Sequence, residues 1–127
     1  FILDGWISPV PDSIITTGLK TPIFSIGRPH WKDSDYPNNY HHLKDLISNS
    51  KDSNYNIVIQ NTLHLDYTDI PLYSPIIKHV MDVGSLAPEI SQPLINNLIL
   101  DFLDSYLLNK PKKNLKNNLN NKLVSNL

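Results

Sequence analysis

The chain has 127 residues, 40% of them hydrophobic, with 11 Lys plus Arg against 12 Asp plus Glu and a net charge of −1. That length suits one domain, and the balanced charge argues against a nucleic-acid partner, which calls for a basic excess or stripe. The lack of cysteine and of any apolar run near the ~18 residues of a bilayer span excludes disulfide frameworks, thiolate zinc sites, cysteine nucleophiles and transmembrane segments within these residues.

Phe1-Ile2-Leu3 is a short apolar stretch that reads as the end of a buried strand, closed by Asp4-Gly5. Opening inside such a run, without Met, the chain reads as a C-terminal fragment. Residues 8–21, with Pro9, Pro11, Asp12, Ser13 and Gly18, predict a loop holding one turn of helix. Pro22–Gly27 is β-branched and aromatic and predicts a second strand, followed by a polar loop over Arg28–Asn39. Tyr40, Leu43, Leu46 and Ile47 recur at helical spacing and predict an amphipathic helix over Tyr40–Ser48. Tyr55–Ile59 is the clearest strand. Asn61–Glu89 reads as irregular, with a short helix around Ile76–Met81.

Ser91 has the character of an N-cap, with Pro93 in the first turn and an apolar helical pattern running from Leu94 to Leu107. Residues 109–127 hold five of the eleven basic residues and no acidic one, with Leu115, Leu119, Leu123 and Leu127 spaced by four. They are expected to be a flexible, solvated Asn/Lys-rich tail beside a domain portion spanning 1–108. Strands alternating with helical crossovers predict an α/β fold with a mostly parallel sheet and flanking helices.

In such a sheet, ligands bind beyond the carboxyl ends of the strands. Asp4 follows the first strand, Gly27–Trp31 the second, and His64 the third. An Asp and a later His in this order match the last two members of a Ser…Asp…His triad. Asp4 also fits a turn former, and His30 competes with His64 as base. His41 and His42 fall on the predicted helix, and His79 lies apart in the irregular region. None of the four glycines (Gly5, Gly18, Gly27 and Gly84) forms GxSxG, GxGxxG or a P-loop. Without HExxH or paired ligand spacing, no metal site is expected.

Leu3-Asp4-Gly5-Trp6, followed by Pro9, and His64-Leu65-Asp66-Tyr67-Thr68-Asp69 resemble the Leu-Asp-x-Trp and His-x-x-aromatic-x-Asp segments of the platelet-activating factor acetylhydrolase family. Pro71-Leu72-Tyr73-Ser74-Pro75 and Asp101–Leu107 extend the resemblance to about residue 108. It implies the C-terminal part of an α/β-hydrolase fold, with Asp4 as triad acid and His64 as triad base. Trp6 and Leu65 are then expected on the substrate side, and Asp69 is expected to hold the loop that carries His64. The second strand ends Ser25-Ile26-Gly27-Arg28, where relatives tend to have a polar segment ending in Ser-Glu, and the Glu is missing here.

The implied activity is hydrolysis of the short sn-2 acyl ester of platelet-activating-factor-like phospholipids, by a serine upstream of Asp4 and without metal or organic cofactor. These 127 residues alone, lacking the nucleophile, are expected to be inactive. The expected partners are a phospholipid or other small ester, with peripheral contact to a membrane or lipoprotein surface, and no nucleic acid. The same triad supports general carboxylesterases, polyester hydrolases and dienelactone-type hydrolases. A decayed relative acting as an interaction module is the non-enzymatic alternative.

Overall fold

The computed structural model describes residues 1–29, 37–51, 53–74 and 76–127. His30, Trp31 and Tyr36 of the expected polar loop, and Pro75, lie outside the described residues.

The fold is α/β and grows around one strand. β2 (Phe24–Gly27) is buried along its whole length, as its β-branched and aromatic composition requires. It pairs in parallel with β1 (Ile2–Leu3) on one side and β3 (Tyr55–Ile59) on the other. Ile2 lies opposite Ser25, and the second ladder runs from Phe24 opposite Tyr55 to Gly27 opposite Val58. The crossovers carry α1 (Asp12–Thr17) and α2 (Pro37–Asn49), so the expected parallel sheet forms.

Period-two alternation assigns each side chain to a face. Phe24, Ile26, Ile57 and Ile59 point one way and pack under Leu94, Ile95, Leu98 and Phe102 of α4 (Pro88–Leu107), following α3 (Ile70–Tyr73) in the chain. On the opposite face Ile23 meets Ile7, Ile15 of α1 and Leu43 and Leu46 of α2. Helices therefore cover both faces.

Three elements depart from the sequence expectations. α4 starts at Pro88, with Ala87 as its N-cap, because proline is preorganised for a first helical position. Ser91 is consequently not a cap; it sits inside the helix, fully buried, and Pro93 is interior as well. The helix expected around Ile76–Met81 is a 3-10 turn, Ile77–His79. Residues 109–127, in place of a solvated tail, form α5 (Lys113–Leu119) and β4 (Val124–Asn126). β4 runs antiparallel to β3, with Ile57 opposite Asn126 and Ile59 opposite Val124. The physical reason is that β3 otherwise leaves an open hydrogen-bonding edge, and the leucine spacing gives α5 a face that buries Leu115 under the sheet.

Candidate active site

Two of the strands end in a left-handed residue. Asp4 (φ 43°) follows β1 and Asn61 (φ 63°) follows β3. Asp and Asn tolerate this conformation best among residues with a Cβ, and each turn redirects the chain over the carboxyl end of the sheet. The Asp4 amide still donates to Ile26 O at 2.7 Å, so its side chain starts from a fixed ladder position.

That placement brings Asp4 and His64 together. His64 Nδ1 lies 2.7 Å from Asp4 Oδ2. The Asp4 side chain is fully buried, whereas the His64 side chain is 52% exposed. Asp4 Oδ1 accepts the Arg28 backbone N–H at 3.0 Å, and the Arg28 Nε stands 3.5 Å from Oδ2. A carboxylate can only accept, so Nδ1 carries the proton in this contact. A buried anion without partners would be strongly destabilising; here an amide, an imidazole and a guanidinium surround it.

The loop bearing His64 is held by Asp66. Its Oδ2 accepts from Leu63 N and from Gly84 N, both at 2.7 Å, and its side chain is buried. Gln92 of α4 adds donations to the carbonyls of Asp66 (2.9 Å) and Thr68 (2.8 Å). Gly84 is required at this point: a Cβ there would stand 2.2 Å from Asn61 O. Tyr67, half-buried and hydrogen-bonded to Thr62 Oγ1 at 2.9 Å, has its phenol pushed far up, chiefly by lost hydration. The holding role expected of Asp69 falls to Asp66 instead. Asp69 is exposed and makes no side-chain cap to α3. An isolated turn cannot reveal which of two nearby carboxylates faces inward.

The loop after Asp4 is pinned by Asn39, which is buried on α2. Its Oδ1 accepts from Ile7 N and Ser8 N, and its Nδ2 donates to Gly5 O at 3.0 Å. Trp6 lies on this loop, 49% exposed. Leu65 is half-buried, with its N–H donating to Asp82 O at 3.1 Å. Neither Asn39 nor Asp66 stands out in the sequence, since a single Asn or Asp in a polar stretch has no period or motif.

A cleft of about 630 Å³ is lined by residues 71, 72, 74, 78 and 79 on one side and 83–89 on the other. Pro71, Leu72 and Leu86 supply apolar walls, and Lys78, His79 and Glu89 supply charge or hydrogen bonds. Asp4, His64, Trp6 and Leu65 are not among its lining residues. His41 is exposed, as expected of a residue on the outer face of α2, and His42 is half-buried. Among the described residues no helix is long and apolar enough to cross a membrane.

The family described as platelet-activating factor acetylhydrolase, isoform II, matches residues 1–127, the whole chain. No curated protein matches it.

Proposed function

The chain belongs to the platelet-activating factor acetylhydrolase family, a family of lipid ester hydrolases, and on that premise we propose that Asp4 and His64 are the acid and base of a Ser–Asp–His triad. The observation that carries this reading is the 2.7 Å bond between His64 Nδ1 and a fully buried Asp4 carboxylate. The nucleophile is a serine outside these 127 residues, which contain no GxSxG.

The chemistry follows from the tautomer. His64 Nε2 accepts the serine proton as Oγ attacks the carbonyl of the short sn-2 acyl ester of a phospholipid. The resulting imidazolium stays bonded through Nδ1–H to Asp4, which stabilises its charge without taking the proton. The Nε2 proton then passes to the departing alkoxide, releasing the lysophospholipid and leaving an acyl-serine. Water attacks that ester with His64 again as base, and the acid is released. Trp6, exposed beside Asp4, and Leu65, beside His64, are assigned to the acyl and alkyl contacts.

The test uses the full-length protein with a 1-alkyl-2-acetyl phospholipid. His64→Ala is expected to lower kcat by about 10⁴-fold or more, whereas His30→Ala keeps most of the rate. The reverse pattern would remove His64 as the base. Comparing this substrate with a long-chain diacyl phospholipid and a simple aryl ester separates the phospholipid reading from a general carboxylesterase. Equal rates on all three would favour the latter.

A further inference from the structure

Beyond the pair itself, a second carboxylate and a cation form a closed circuit around it. Arg28 Nη1 donates to Asp82 Oδ2 at 3.1 Å. The same Asp82 oxygen accepts the His64 backbone N–H at 3.4 Å, and the Asp82 carbonyl accepts the Leu65 N–H at 3.1 Å. Arg28 thus touches Asp4 at one end and, through Asp82, the turn that carries His64 at the other. Its side chain is only 18% exposed and Asp4 is fully buried, so that contact is weakly screened by water, whereas the contact to half-exposed Asp82 lies at the surface.

We propose that Arg28 and Asp82 are positioning residues for the Asp4–His64 pair, which lock the base-bearing turn to the acid-bearing strand end and set the charge balance that the imidazole meets. The proposal rests on the triad reading above. Its physical content is a competition for Asp4. With His64 neutral, the Arg28 guanidinium compensates the buried carboxylate. When the imidazolium forms in turnover, it must share Asp4 with a cation already present, and removing that cation leaves the carboxylate to the imidazole alone. Asp82, half exposed, acts in the opposite sense: it draws on the guanidinium and adds negative charge beside the same turn. Among the described residues, the charged groups bonded into this circuit come from three elements: Asp4 after β1, Arg28 after β2 and Asp82 after the Ile77–His79 turn. Asp66 is buried on the His64 turn itself.

The signs give the test. A triad base must be neutral, so kcat/KM falls on the acidic side as the imidazole takes up a proton. In the full-length enzyme, Arg28→Gln removes the competing cation and is expected to move that acidic limb to higher pH by about half a unit or more. Asp82→Asn removes the anion and moves the limb to lower pH, by less because the group is half exposed. Arg28→Lys keeps the charge and returns the limb to its original place. A merely structural role would lower rates without displacing the limb in opposite directions. Limbs that stay in place, or move the same way, in the Gln and Asn variants overturn the proposal while His64→Ala is inactive and the triad stands. An active His64→Ala takes down the triad reading first, and this proposal with it. If Arg28→Gln does not fold, a downward move in Asp82→Asn with none in Arg28→Lys supports the proposal, and no move in Asp82→Asn overturns it.

Discussion

Under α4, Phe24 and Phe102 stack with ring centroids 4.9 Å apart, and Tyr55 and Tyr106 meet Phe102 at 6.1 and 4.6 Å. At the carboxyl ends of β1–β3, the same sheet carries Asp4, Arg28, His64, Asp66 and Asp82, joined by directed hydrogen bonds. The first region is held by area removed from water and by ring packing, which tolerate changes of shape that conserve volume. The second depends on donor and acceptor positions, where a change of one atom type leaves a buried group without a partner. Stability is therefore concentrated in the apolar layer and functional geometry in the polar one. Changes in either should separate accordingly.

The largest expected effect tests the apolar side. Phe102→Ala empties a site that is 6% exposed and in contact with four aromatic rings. It should cost about 3–5 kcal/mol in urea unfolding of the full-length protein, while the pH dependence of the remaining folded enzyme is unchanged. A change in that pH dependence would show the two regions to be coupled.

A smaller change at the polar end should do the reverse. Gly84→Ala places a methyl 2.2 Å from Asn61 O and 2.8 Å from Asp66 Oδ2. It should cost about 1–3 kcal/mol of stability, with a loss of kcat out of proportion to that figure, because the Leu63–Asp66–Gly84 clamp sets the His64 turn. Steady-state kinetics at a temperature where the variant is folded read this directly. An unaltered kcat would mean that the clamp does not fix the base.

The smallest effect is expected outside both regions. Lys110 pairs with Asp104 at 2.9 Å on the surface, with both side chains well exposed. Lys110→Ala should change the unfolding free energy by no more than about 0.5 kcal/mol and leave kinetics alone. A larger loss would mark residues 109–127 as a third region of consequence.

Legibility in the sequence followed the same division. The apolar alternation of Pro22–Gly27 and Tyr55–Ile59 and the helical spacing from Leu94 to Leu107 carry their own geometry, because burial acts on every residue of an element in step with its period. The end of β1 at Asp4 and the position of His64 after β3 were readable for the same reason, together with a motif. Hydrogen-bonding groups have no such period. Asp69 and Asp66 lie three apart in one polar stretch, and Asp66 is fixed by the Leu63 N–H together with that of Gly84, from a loop 18 residues further on. Asn39 likewise acquires its role from Ile7 and Ser8, more than 30 positions away.

The C-terminal segment shows the converse case. Asn and Lys give residues 109–127 little intrinsic reason to order, yet β3 offers a row of unpaired backbone groups on its outer edge. Ladder contacts from Gln60 N to Leu123 O and from Leu127 N to Asn56 O close that edge. By itself, then, the sequence determined the α/β class, the parallel run of the first three strands, and the two strand ends where Asp4 and His64 stand. The tertiary structure alone decided that β4 caps the sheet, that Asp66 holds the His64 turn, and that Arg28 and Asp82 connect it to Asp4. Periodicity is a local property of the chain, whereas an edge, a clamp and an ion pair exist only when distant segments meet.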